Sequence, residues 1–191
     1  MKLKSKYLLI IGYIIWKTGY ISANETPVLS KKTYHTTQSA LKKIFPTATS
    51  ITAEKMELSK SEKKIISNQL NFKTNWKNIT VYQGYENKTQ LGKTFILNEL
   101  GKYYPITMMV HITPQQNIGA IIVMVYREQI GRNIRKKRFL KQFVGKTKDS
   151  PLKISHDIDG ITGATISSWS VARASKKALL LAYNYEKKDP K

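Results

Sequence analysis

The sequence predicts an α+β domain, an antiparallel sheet flanked by helices, set behind an N-terminal signal or anchor. Three observations carry that prediction. Apolar residues alternate with period two through the middle of the chain. Segments with helical spacing lie on both sides of that block, not between its strands. The first residues are basic and then apolar in the manner of an export segment.

Met1 to Lys6 makes a basic start, Tyr7 to Trp16 an apolar run, and Ile21-Ser22-Ala23 a cleavage-like site before Asn24. The apolar run is short for a membrane span and Ile21 is large for its position, so cleavage and retention as an anchor both stay open. Either way the chain is expected outside the cytoplasm. Residues 24–36 read as a polar lead-in containing Pro27. A helix is expected from Thr37 to Phe45, stopped by Pro46. A second covers residues 59–70, with Ser59 as its cap, Glu62 three residues on, and Ile65, Ile66 and Leu70 as its apolar stripe. Strands follow at 78–85, 93–99, 104–113 and 118–127, punctuated by Gly, Asn and Pro. A basic helix is expected from Arg135 to Val144, and a last one from Thr165 to Tyr185. The chain thus divides into a signal or anchor (1–23), a helical region (24–77) and the main domain (78–188).

The sequence has no cysteine, which excludes disulfides, thiolate catalysis and iron–sulfur clusters. His35, His111 and His156 are far apart and show no metal-ligand spacing. Redox work, if any, therefore falls to an organic cofactor. With 33 basic and 12 acidic residues the net charge is +21, which favours anionic partners in general. Lysine is spread along the chain without an arginine-rich reading element, so nucleic acid is not the expected partner.

The informative stretch is Asp157-Ile-Asp159-Gly160-Ile161-Thr162-Gly163-Ala164-Thr165-Ile166-Ser167-Ser168. Two glycines permit a tight turn and small residues permit close approach to the backbone. The following residues have helical spacing, with Val171, Ala174, Ala178, Leu181, Ala182 and Tyr185 on one face. The hydroxyls of Thr162, Thr165, Ser167 and Ser168 thus gather at a helix N-terminus, where free N–H groups and the helix dipole favour a phosphate. The plainer alternative is that Thr162 is an N-cap and Gly160–Gly163 a turn.

The segment Asp159 to Ser168 resembles the flavinylation signature of the FMN-binding domain family. Such domains occur in the C subunit of the sodium-pumping NADH:quinone oxidoreductase, the G subunit of the Rnf complex, and small exported flavoproteins. The similarity runs through residues 78–185. It includes Gly119 to Glu128 and the Phe139-Leu-Lys-Gln-Phe143-Val-Gly145-Lys146 segment. The resemblance implies an FMN joined through its phosphate to Thr165 by a separate flavin transferase, which uses FAD and a divalent metal and reads Asp159. It implies that Gly160, Thr162, Gly163, Ala164, Ser167 and Ser168 surround the phosphate. Where relatives often carry Glu-Thr-x-Gly-Leu-Gly, this chain has Glu128-Gln129-Ile130-Gly131-Arg132-Asn133. By position, Glu128 and Gly131 are expected to line the site.

Lys146 and Lys176 are further candidates for electrostatic tuning of the flavin, Trp169 for covering it, and His156 for proton transfer. Each has an ordinary reading as helix surface, packing or loop. No nucleophile–base–orienter set stands out, so a redox carrier or oxidoreductase subunit is expected over a stand-alone enzyme. Its expected partners are the transferase and a membrane oxidoreductase or other redox protein. A noncovalent flavin module of the same fold, or one that docks on membranes or acidic proteins, is the alternative.

Overall fold

The computed structural model describes residues 32–70 and 79–188. The expected signal or anchor at 1–23 lies outside the described residues. Among those described, no helix is long and apolar enough to cross a membrane.

The part of the polar lead-in that is described contributes a strand, β1 (Lys32–Thr33), paired antiparallel with the strand ending at Tyr126. Helix α1 (Thr37–Ile44) starts where Thr36 Oγ1 accepts the Ser39 N–H at 3.2 Å, and it ends before Pro46. The pattern does not predict the next element, β2 (Ser50–Lys55). All six of its residues are exposed on a sheet edge, so no apolar alternation marks it. Helix α2 (Lys60–Leu70) carries the expected capping box. Ser59 Oγ accepts the Glu62 N–H at 3.2 Å, and Glu62 Oε2 accepts the Ser59 N–H at 2.6 Å.

The four period-two segments form β3 (Thr80–Glu86), β4 (Thr89–Leu100), β5 (Pro105–Ile112) and β6 (Ile118–Tyr126). The described strands make one antiparallel sheet in the order β1-β6-β5-β4-β3-β2. The fold is α+β, as the sequence predicts. Central β5 is buried on both faces. Ile106, Met108, Val110 and Ile112 join the main core, whereas Met109 joins Ala40 of α1 and Met124 on the opposite face.

The basic helix expected over Arg135–Val144 is broken. A 3-10 turn covers Arg132–Arg135, Lys136 is extended (φ −66°, ψ 136°), α3 spans only Lys137–Leu140, and a second 3-10 turn covers Lys141–Phe143. A continuous helix would set Arg135, Arg138 and Lys141 three residues apart on one face, and Lys137 four before Lys141, with no acid among them, which disfavours it. Phe139 and Phe143 hold the segment instead. Both are buried, with ring centroids 5.4 Å apart in an edge-to-face arrangement.

Helix α4 (Thr165–Lys188) lies across β4 and β5 and packs on α2. Its expected apolar face, from Val171 to Tyr185, is buried. A charged pair is buried with it. Lys177, 3% exposed, stands 3.6 Å from Glu99, 6% exposed. Burial pushes the Glu99 carboxyl up and the Lys177 ammonium down from their ordinary values. Ser170 Oγ and the Arg173 guanidinium donate to Leu100 O at 2.7 and 2.6 Å. These bonds fix the end of β4, and hence residues 101–104 beyond it, to the first turns of α4.

Candidate functional site

Three segments that are distant in sequence meet around a cleft of about 470 Å³. Lys102, Tyr103 and Tyr104 form one lip. Glu128, Gln129 and Ile130, from the loop after β6, form the second wall. Gly163 to Ser167, the mouth of α4, form the third.

Glu128 organises the first two. Its carboxylate is buried, and Oε1 accepts the N–H groups of Tyr103 at 2.7 Å and Tyr104 at 3.0 Å. An acidic side chain here satisfies two backbone donors at once and bends the 101–104 lip over the loop.

Tyr126 organises the second and third. Its hydroxyl, on a side chain 1% exposed, donates to Ile130 O at 2.5 Å and lies 3.0 Å from Ser167 Oγ. Burial pushes this phenol above its ordinary value, so it stays protonated as a donor. Gly131 permits the contact. Its φ is +97°, and an added Cβ would stand 2.6 Å from the Tyr126 hydroxyl and 3.0 Å from Ala164 Cβ.

At the third wall, Ala164 N–H donates to Ile161 O at 2.8 Å, and Ala164 O accepts the Ser168 N–H at 2.9 Å. The helix therefore begins at Ala164–Thr165, and Thr162 is an exposed turn residue, not the N-cap. Gly163 takes φ +75°, and an added Cβ would meet nothing within 4 Å. The backbone beside Thr165 is thus open to another molecule. Thr165 itself is exposed and lines the cleft, in the first turn of a 24-residue helix whose leading N–H groups have no partner within it.

The structure brings together six of the sequence-predicted site residues. Glu128, Gly163, Ala164, Thr165 and Ser167 line the cleft, and Gly131 packs just behind it. The others stand apart. Ser168 is turned inward, donating to Ala164 O at 3.0 Å and accepting from Ile161 N–H at 3.3 Å. Gly160 lies against Ile154, and Thr162 is outside the lining. Asp159 is exposed on the approach loop. Gln142 brackets its backbone, with Oε1 accepting the Asp159 N–H at 2.7 Å and Nε2 donating to Asp159 O at 3.2 Å.

The side chains considered for tuning lie elsewhere. Lys146 pairs with Asp157 at 3.0 Å, and Lys176 donates to Lys148 O at 2.5 Å and Ser150 O at 3.0 Å. Trp169, 54% exposed, borders a second groove further along α4, beside residues 149–154. His156 is an exposed loop residue. The cation at the cleft is Lys102, and the apolar surface comes from Tyr103, Tyr104, Ile130 and Ile166. Lys102, Tyr103 and Tyr104 belong to no motif in the sequence. The one available signal was the Tyr103-Tyr104 doublet between a glycine and a strand.

Asp157 shapes the loop that carries the motif. Its Oδ1 accepts the Lys153 N–H at 2.7 Å. Its Oδ2 accepts the Leu152 N–H at 3.2 Å and the Lys146 ammonium at 3.0 Å. Burial alone would push the carboxyl pKa up, but the Lys153 amide and the Lys146 ammonium together hold it below its ordinary value.

The lining suits a flat aromatic ring system with a phosphate. Aromatic and aliphatic side chains offer faces to the ring, and Thr165 with the helix mouth offers the anion site. Residues 101–180 match the model of the family described as FMN-binding domain, a stretch that contains all three walls of the cleft. FMN is accordingly the cofactor of this domain. A crystal structure of NqrC from Shewanella oneidensis shows a likeness at 17% identity, with 75% of this chain and 73% of that chain covered and a TM-score of 0.47. No curated protein matches the chain.

Proposed function

We propose, with the FMN-binding domain over residues 101–180 as the premise, that the flavin is held covalently on Thr165 and that the protein is an extracytoplasmic electron carrier. The observation that carries this reading is the exposed Thr165 side chain at the rim of the cleft, within the first turn of α4.

The attachment is a phosphoryl transfer made by a flavin transferase. The Thr165 hydroxyl oxygen attacks the FMN-side phosphorus of FAD, the pyrophosphate P–O bond breaks, AMP leaves, and the hydroxyl proton is lost to solvent or to the transferase. What remains is a phosphodiester. Thr165 needs no activating base of its own, and the one cleft-lining carboxylate, Glu128, is engaged by the Tyr103 and Tyr104 N–H groups. The ester retains the cofactor in a shallow site.

The bound flavin supplies the electron chemistry. The chain's own residues orient it. The helix mouth holds the phosphate, Tyr103, Tyr104, Ile130 and Ile166 bear on the ring, and Lys102 favours added negative charge electrostatically. Electrons would come from a membrane oxidoreductase and pass to an acceptor outside the cytoplasm. The basic then apolar residues at 1–16 support export, whether cleaved or retained.

Coexpression with an active flavin transferase is expected to give yellow protein that fluoresces in a denaturing gel. The mass gain, one FMN less water, maps to the peptide containing Thr165, and Thr165→Val removes both signals. Unmodified protein under active transferase would overturn the covalent reading. Colour that washes out on denaturation would point to a noncovalent flavin module. Intact mass of protein from its native envelope reports N-terminal processing, and recovery only from the cytosol sinks the export reading.

A further inference from the structure

The motif's approach loop is held by a side chain from outside the motif. Gln142 stands on the 3-10 turn after α3, next in sequence to the buried Phe143. Its amide meets both the N–H and the C=O of Asp159, seventeen residues on, as a neighbouring strand's backbone would. The pairing consumes the polar backbone groups of Asp159 and leaves its carboxylate exposed. The Asp157 carboxylate fixes the same loop at its start through Leu152, Lys153 and Lys146. The exposed Asp159 therefore stands in a loop held at Asp157 and at its own backbone, six residues before the exposed Thr165.

We infer that Gln142 is a positioning residue for the modification of Thr165, acting by holding in one orientation Asp159, the residue that the family resemblance implies the transferase reads. The inference rests on the proposed flavinylation of Thr165. Gln142 does not line the cleft, so it has no role in the finished flavoprotein's ring environment. A rigid recognition loop removes the ordering cost that a mobile one would add at the encounter with the transferase.

The test measures flavinylation of the purified apoprotein by a flavin transferase with FAD and magnesium, under limiting enzyme. Gln142→Met keeps the length of the side chain and loses both hydrogen bonds. Gln142→Glu keeps the acceptor for the Asp159 N–H alone. For Gln142→Met the kcat/KM of the transferase is expected to fall about tenfold, mainly through KM, the scale set by one or two neutral hydrogen bonds. Gln142→Glu should lie between it and the wild type. Once flavinylated, each variant should show the wild-type flavin spectrum and midpoint potential.

Modification of Gln142→Met at the wild-type rate overturns the inference. So does a slowed rate accompanied by a shifted potential, which would place the effect in the cleft. If the wild type itself is not modified, the covalent reading falls and this inference with it. Normal modification of the wild type with insensitivity at Gln142 sinks this inference alone.

Discussion

The Tyr126 hydroxyl lies 3.0 Å from Ser167 Oγ, joining the end of the sheet to the first turn of α4 two residues beyond Thr165. The same hydroxyl donates to Ile130 O, so one phenol ties together two walls of the cleft. Tyr126→Phe leaves Ile130 O and the buried Ser167 without this partner. The expected loss is about 1–2 kcal/mol of stability, read as a lower urea midpoint with an unchanged m-value. An unchanged midpoint would mean that the two walls hold their places independently.

Glu128 makes a second prediction. Replacement by Leu fills the space but strands the N–H groups of Tyr103 and Tyr104. The cost is expected at about 1.5–3 kcal/mol, the range for hydrogen bonds to a charged group. Amide exchange at Tyr103 and Tyr104 should accelerate more than at Met108 in the sheet. Uniform acceleration across the protein would show that Glu128 supports the whole fold and not the lip.

His111 sets a pH dependence. Its ring lies over Gly92 and Gly119, makes an edge contact with Phe45 at 5.2 Å, and bonds Leu91 O at 3.2 Å. Burial pushes its pKa below the ordinary histidine value, so the folded protein binds this proton less readily than the unfolded chain. Its contribution to stability is therefore full above pH 6.5. It is lost as pH falls from there through the lowered folded value. His111→Gln should flatten the stability profile in that window, measured by urea denaturation at stepped pH. A profile as steep as the wild type would assign the dependence to other groups.

Much of the fold is legible in the sequence because burial imposes rhythm. The strands β3 to β6 and the face of α4 read correctly since one or both sides meet the core. Edge strand β2 is silent for the opposite reason, with every residue exposed. The break at Lys136 carries no glycine or proline to announce it; repulsion among neighbouring cations and the two phenylalanine anchors decide it. Buried charges were hidden too. Lys93 pairs with Glu186, and Lys177 with Glu99, across contacts that only the packing of α4 creates.

In the cleft, local chemistry marked Gly163 to Ser167 because turn residues and hydroxyls cluster there in sequence. The opposing lip was not legible, since Lys102 to Tyr104 reach the site only through the carboxylate of Glu128. Spacing likewise gave Ser168 the same standing as Ser167. Helix geometry turns one toward Tyr126 and the cleft and the other into the turn at Ala164.

The short β1 strand has a mechanical consequence. Lys32 pairs with Tyr126, so the described chain begins beside the residue that braces the cleft. A pull applied through the N-terminal side is delivered at that corner of the sheet, not at its far edge. If the protein is moored by that side, the length of the mooring sets the radius within which the flavin can meet a donor.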